Sequence, residues 1–330
     1  MSSSDHPYTS LTPDAVLDAV EELGFETDAR IFALNSYENR VYQVGVSDSY
    51  FLIVKFYRPG RWSREQIEEE HSFLRELAEL EIPVVPPMEF EGKGSLLQFR
   101  EFFVAVFPQF IGRPPELDSL DNLLIMGRYI GRIHAAGEQG DFHARQSISV
   151  ERFCVESREF LLSNDFLPRE LVPAYETLSA ELVAKVQQQY SAVDNLQTLR
   201  IHGDCHPGNV LWRDDVPTFV DFDDAVTGPA IQDLWMMLSG DRNQRQAQLL
   251  ELVEGYNEFH DFKVRELALI ESLRTMRLMH YAAWLARRWS DPAFPLSFPW
   301  FNTQRYWSEH ILELREQMAA LDEPTLELLN

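Results

Sequence analysis

The segment His202-Gly203-Asp204-Cys205-His206-Pro207-Gly208-Asn209, followed by Val220-Asp221-Phe222-Asp223-Asp224, constrains this chain more than any other. Asp204 and Asn209 stand five apart, and the short apolar runs Val210-Leu211-Trp212 and Thr218-Phe219-Val220 lie between Asn209 and Asp221. The pattern predicts a loop, a hairpin and a second acidic position, the order in which phosphoryl transfer by a kinase places its working groups. One carboxylate must orient an attacking hydroxyl and take its proton. Oxygen ligands must hold Mg²⁺ against the phosphates. Asp204 suits the first task, and Asn209 with Asp221 the second. Three weaker readings compete. His202, Cys205 and His206 are candidate zinc ligands, but the chain has two cysteines and no second Cys/His pair to complete a site. Cys205 beside a histidine is a candidate nucleophile, with nothing else outlining such a site. A plain polar loop leaves the bracketing of two β-like runs unexplained.

With 330 residues, the chain can bury a large core and is expected to split into two units. Its first residues, Met1 to Pro7, lack a basic region followed by an apolar run, which reads as no signal peptide. No segment approaches the ~18 uninterrupted apolar residues of a membrane span. Cys154 and Cys205 cannot make a disulfide framework, so a reducing cytoplasm is the expected compartment. A net charge of −24 repels nucleic acid and anionic lipid, and by steering would favour cationic or basic acceptors. It repels ATP too, so a nucleotide site needs local shielding by Lys, Arg and metal ions.

The hydrophobic pattern predicts a helix over 13–21 with Gly24 past its end. Strands follow at 39–44 and 50–57 around a turn at Gly45 to Ser49, then a helix over 63–80 and strands at 96–99 and 102–107. Pro108 to Pro115 reads as a hinge. Beyond it the periodicity is helical, over 119–136 with Leu120, Leu123, Leu124, Gly127, Ile130 and Ile133 on one side. Further helices are expected around 150–162, 168–190, 230–239, 243–260, 264–289 and 303–320. After position 140 the strand signals are those near 210–213 and 217–221. The expected architecture is α+β, a two-lobe kinase-like fold with a small β-rich N-lobe (1–110, nucleotide-binding) and a larger helical C-lobe (111–330, catalytic loop, metal site and acceptor groove).

Such a first lobe should supply a lysine and a glutamate. Lys55 is the only basic residue in the apolar run 50–57, and Glu70 falls inside the stripe made by Ile67, Leu74 and Leu77. A carboxylate on a buried face is costly unless paired, so a Lys55–Glu70 pair aiming the lysine at the α/β-phosphates is expected. Neither G-x-G-x-x-G nor G-x-x-x-x-G-K-[ST] is present, which argues against Rossmann and Walker-type nucleotide binding. The turn Leu34 to Tyr42 offers hydroxyls, amides and backbone N–H groups to phosphate instead.

These strings resemble the aminoglycoside phosphotransferase/choline kinase-like superfamily, and within it the bacterial stress response kinase A family of YihE-type protein kinases. The resemblance rests on Asn35-Ser36-Tyr37-Glu38-Asn39-Arg40-Val41-Tyr42, Val54-Lys55-Phe56-Tyr57-Arg58-Pro59, His202 to His206, Gly208-Asn209, Val220-Asp221, Asp223-Asp224-Ala225, Gln232-Asp233-Leu234-Trp235 and the late stretch Arg287 to Pro295 with Phe298-Pro299-Trp300. It departs at Ser290, where alanine is expected, and at Pro207. The resemblance implies a cytosolic ATP- and Mg²⁺-dependent serine/threonine protein kinase of the stress response; a phosphoprotein and a monomer are expected besides. By position it makes Asp204 the proton acceptor and Asn209 and Asp221 the Mg²⁺ ligands, and puts Ser36 in the nucleotide loop. Asp223 and Asp224 are expected to cap the next helix or support the metal site. The 287–300 stretch is either a wall of the acceptor groove or a packed loop. The runner-up is a kinase for an amine-bearing alcohol such as an aminoglycoside, choline or a homoserine-like metabolite. A third reading is a nucleotide-sensing scaffold without turnover.

Overall fold

The computed structural model describes residues 8–47 and 50–328. In chain order its elements are α1 (Pro13–Glu21), β1 (Thr27–Ala33), β2 (Arg40–Val46), β3 (Tyr50–Phe56), α2 (Arg64–Glu79), β4 (Leu97–Phe99), β5 (Phe102–Pro108) and α3 (Leu120–Gly137). Then come α4 (Glu156–Ser163), α5 (Val172–Ala192), β6 (Leu199–Ile201), β7 (Val210–Arg213), β8 (Val216–Phe219), β9 (Val226–Gly228) and α6 (Ile231–Trp235). The chain finishes with α7 (Arg242–Asn257), α8 (Ile270–Arg287), α9 (Ala293–Ser297) and α10 (Gln304–Ala320). Two compact units result. One comprises Met1–Glu116, Phe142–Arg145 and Pro207–Ala225, and the other Leu117–Asp141, Gln146–His206 and Val226–Asn330. The class is α+β, with the sheet in the first unit and helices dominating the second.

In the first unit an antiparallel sheet runs β1-β2-β3-β5-β4. The period-2 alternation of β3 sends Leu52, Val54 and Phe56 to one face, where they join Val16 and Val20 of α1. The opposite face carries Lys55 beside its cross-strand partner Ala105, which packs with Ile67 of α2. That helix starts where the sequence says it must. Ser63 accepts from the Gln66 backbone N–H while the Gln66 side chain accepts from the Ser63 N–H. The hairpin β7–β8 belongs to this unit because Arg113 and Trp212 exchange backbone hydrogen bonds of 3.0 and 2.7 Å. The cut expected after residue 110 therefore moves to 116, and two later segments return to the first unit.

In the second unit α3 crosses α7 closely at Gly127, where an added Cβ would lie 2.0 Å from the Leu252 carbonyl oxygen. Leu120, expected on the apolar side of α3, is exposed. The 287–300 stretch forms a packed aromatic cluster: Trp284 meets Phe294 and Phe298 at 5.2 and 5.9 Å, and Trp289 meets Phe301 at 4.9 Å.

Three strands escape the sequence pattern. β1 is an edge strand with no clean alternation of burial, and β6 and β9 are three residues each, too short to show a period. The expected 230–239 helix spans only Ile231–Trp235, and the 264–289 helix begins as a 3₁₀ turn over Val264–Leu269. The turn expected at Gly45 to Ser49 includes Asp48 and Ser49, which lie outside the described residues, as do Met1 to Pro7.

Candidate active site

In the first unit, charged groups converge around Lys55. Its ammonium contacts the Asp223 carboxylate closely, lies 3.5 Å from Asp221 Oδ1, and is 4.0 Å from Glu70 Oε1. Burial works against the charge, but the fields of Asp223, Glu70 and Asp221 outweigh it and hold the lysine well above its usual range. Asp223 is thus the tight partner, and Glu70 stands further off. Burial also pushes the Asp223 carboxyl up, and Lys55 and Arg61 more than offset it. For Glu70 burial wins and its carboxyl is raised, even with Arg145 Nη1 at 3.5 Å.

Arg145 and Asn39 complete this cluster, and sequence reasoning missed both roles. Arg145 is buried and donates to the backbone oxygens of Gln66 at 2.8 Å, Ala225 at 2.6 Å and Asp223. Its loop is held by Glu69, which accepts from the backbone N–H groups of His143, Ala144 and Arg145 at 2.7–3.0 Å. Asn39 donates to Asp223 and accepts from the Arg58 N–H at 3.0 Å, so it ties the β1–β2 turn to the cluster. Ser36 lies in that turn, half-buried. Asp224 pairs with Arg61 at 2.8 Å. Asp223 and Asp224 therefore act as counter-ions of Lys55 and Arg61; of the two roles expected for them, capping the next helix is not seen, since α6 begins after Ala230 without a side-chain cap. No sequence signal marked Asp223 as the partner of Lys55, because the two stand 168 residues apart.

The hairpin places Asn209 and Asp221 at its open end, where the Val220 N–H donates to the Asn209 carbonyl at 3.0 Å. Asp221 adopts a left-handed conformation, φ 61° and ψ 60°, which Asp tolerates better than most residues. Its side chain is 55% exposed. An amide and a carboxylate oxygen are the hard donors Mg²⁺ prefers, and few protein ligands are needed when phosphates supply the rest. The residues fit that ion. Among the described residues there is no cluster of three or more His, Cys, Asp or Glu placed to hold a metal.

Asp204 belongs to the second unit. Its Oδ1 accepts from Arg277 Nη1 at 2.6 Å, and His206 Nε2 stands 3.5 Å from Oδ2. Burial raises its carboxyl, but the His206 hydrogen bond and the Arg277 charge prevail and hold it well below the usual range. The backbone leading into Asp204 is fixed by Asp233, whose carboxylate accepts from the His202 and Gly203 N–H groups at 2.8 and 2.9 Å. Asp233 is itself met by His134 Nε2 at 3.0 Å. Cys205 is buried, and burial followed by the Asp233 and Asp204 charges drives its thiol far up. That is the setting of an inert thiol, not a nucleophile.

With a sheet-and-helix first unit, an Asn/Asp hairpin end beside a buried lysine, and a carboxylate held on a short loop, the class follows. The chain belongs to the phosphotransferase enzyme family, which it matches over residues 30–268. It is a kinase that carries a phosphoryl group to a hydroxyl acceptor. Within that family it stands with stress response kinase A: the protein of that name from Escherichia coli O157:H7 is 44% identical over 328 residues, 99% of either chain. A Salmonella typhimurium strain LT2 protein named serine/threonine protein kinase RdoA is 43% identical, again over 99% of each. Among solved structures, amicoumacin kinase hAmiN in complex with AMP-PNP, Ca²⁺ and Ami shares the fold, with a TM-score of 0.74 at 18% identity, covering 96% of this chain and 95% of that one. No helix among the described residues is long and apolar enough to cross a membrane.

Proposed function

We propose that the protein is an ATP-dependent serine/threonine protein kinase of the stress response that works in the reducing cytoplasm as a monomer. The observation that carries this reading is the likeness over 99% of the chain to stress response kinase A and to a relative named as a serine/threonine protein kinase. In this reading Asp204 orients the acceptor hydroxyl and takes its proton as the oxygen attacks the γ-phosphorus. A carboxylate held strongly acidic by the His206 hydrogen bond and the Arg277 charge serves better at orienting the hydroxyl than at early proton abstraction, so the proton moves late, after the bond to the leaving oxygen has loosened. Lys55, freed from part of its hold on Asp223, meets the α/β-phosphates, and Glu70 and Asp223 keep its ammonium charged and aimed. Ser36 and its turn contribute polar contacts to the nucleotide. Asn209 and Asp221 would hold Mg²⁺, which when bound neutralises charge on the phosphates. Residues of the first unit would then serve the nucleotide and the metal, and those of the second, with Asp204, the acceptor. The protein itself is expected to carry phosphate, as a phosphoprotein.

A second reading, a small-molecule kinase for an amino alcohol, draws support from the fold shared with amicoumacin kinase. Transfer of γ-³²P from Mg-ATP separates the two, using purified protein with a generic protein acceptor and a panel of amino alcohols. Label on serine or threonine, lost in Asp204→Ala and Asp221→Asn, is expected. Label on a small molecule alone would move the acceptor to the second reading. Full turnover in Asp204→Ala would remove Asp204 from its role.

A further inference from the structure

The carboxylate proposed as base is engaged by a cation. Arg277 projects from α8 and donates to Asp204 Oδ1 at 2.6 Å, yet 46% of its side chain is exposed. Asp204 is its one hydrogen-bond acceptor among the described residues, and a guanidinium carries five donors in a fork suited to a second carboxylate. One turn along the same face stands Tyr281, exposed and stacked on Trp284 at 5.6 Å with 13° between the rings. A turn before Arg277, Arg274 covers the Trp235 ring at 5.3 Å and is paired with Glu271 at 3.4 Å. In a chain with 53 acidic residues, Ser272 to Ser290 contains no Asp or Glu and has arginine at 274, 277, 287 and 288. The protein's general field is negative, but the surface beside Asp204 is locally cationic and aromatic.

Binding an acceptor hydroxyl at Asp204 means sharing the carboxylate that Arg277 already holds. An acceptor that brings its own carboxylate gives the guanidinium a replacement partner and leaves an Asp204 oxygen for the hydroxyl. A lysine or arginine at that place in the acceptor would face Arg277 and be repelled. We infer that Arg277 is a specificity-determining residue that selects serine or threonine hydroxyls flanked by Asp or Glu side chains. This rests on the protein-acceptor reading above, and it opposes the preference for basic acceptors that the net charge suggests.

The test is a set of matched Ser/Thr peptides with acidic, neutral or basic flanks, assayed with Mg-ATP against wild type, Arg277→Gln and Arg277→Lys. The wild type is expected to favour the acidic set over the neutral by about tenfold in kcat/KM, mainly through KM, the size of one charge-assisted hydrogen bond. Arg277→Gln should collapse that ratio towards one, and Arg277→Lys, which keeps the charge, should retain most of it. The lysine variant also covers the case of a glutamine variant that fails to fold. Equal labelling of the three sets by wild type overturns the inference alone. So does a preference that survives in Arg277→Gln, or a loss of kcat shared equally by all peptides. Labelling of no peptide by wild type removes the protein-acceptor reading, and this inference with it.

Discussion

Near the end of β3, Lys55 keeps a charge in a buried position because Asp223, Asp221 and Glu70 surround its ammonium. Lys55 and Glu70 were legible in the sequence, since a lone cation in an apolar strand and a carboxylate in an apolar helical stripe both need partners. Which carboxylate sits closest was not legible, because Asp223 comes from a segment 168 residues away. Arg145 gave no signal at all. Its loop has no period, and its partners are backbone oxygens that any residue could supply. Removing it strands those oxygens and leaves Glu70 buried with less compensation. Arg145→Ala is expected to cost about 3–5 kcal/mol, the range for breaking a buried ion pair, measurable as a lower urea midpoint. A loss under about 1 kcal/mol would show that the cluster relaxes around water.

Among the elements, α2 was the most legible because its start is written locally, as Ser63 and Gln66 with an apolar run behind them. Ser63→Ala is expected to lose about 1 kcal/mol, read by thermal denaturation, with ATP affinity little changed. The crossing of α3 and α7 depends on a different property. At Gly127 there is no room for a side chain, so Gly127→Ala must push the helices apart against the Leu252 carbonyl. A cost of about 1–3 kcal/mol is expected even though alanine is the better helix former. A variant that melts at or above the wild-type temperature would mean the crossing yields freely. Periodicity located α3 but could not reveal that one of its positions is closed to any Cβ. That depends on how near α7 comes.

At the scale of the whole molecule, pH stability provides a further test. His310 is buried among Tyr175, Tyr306 and Trp307, and burial drives its pKa down to about 4. The unfolded imidazole takes up a proton below about pH 6.5, whereas the folded one resists until about pH 4. The unfolded chain therefore binds more protons in that window, and stability falls as pH drops through it. Between pH 7 and 4.5, wild type should lose about 2–3 kcal/mol more than His310→Phe, compared by urea denaturation at both values. Identical pH dependence in the two proteins would show that His310 is protonated in the folded state.

The sequence by itself determined the α+β class, the positions of most helices, the loop–hairpin order from Asp204 to Asp221, and the membership of the phosphotransferase family. All of these are local, written in spacing, caps and residue type. Only the tertiary structure decided that Asp223 and not Glu70 holds Lys55 most closely, that Arg145 closes the cluster, and that Arg277 stands on Asp204. Those pairings join segments from 73 to 168 residues apart. Chain spacing carries no information about such meetings. They are set by which charges must share the same desolvated space once the core has formed.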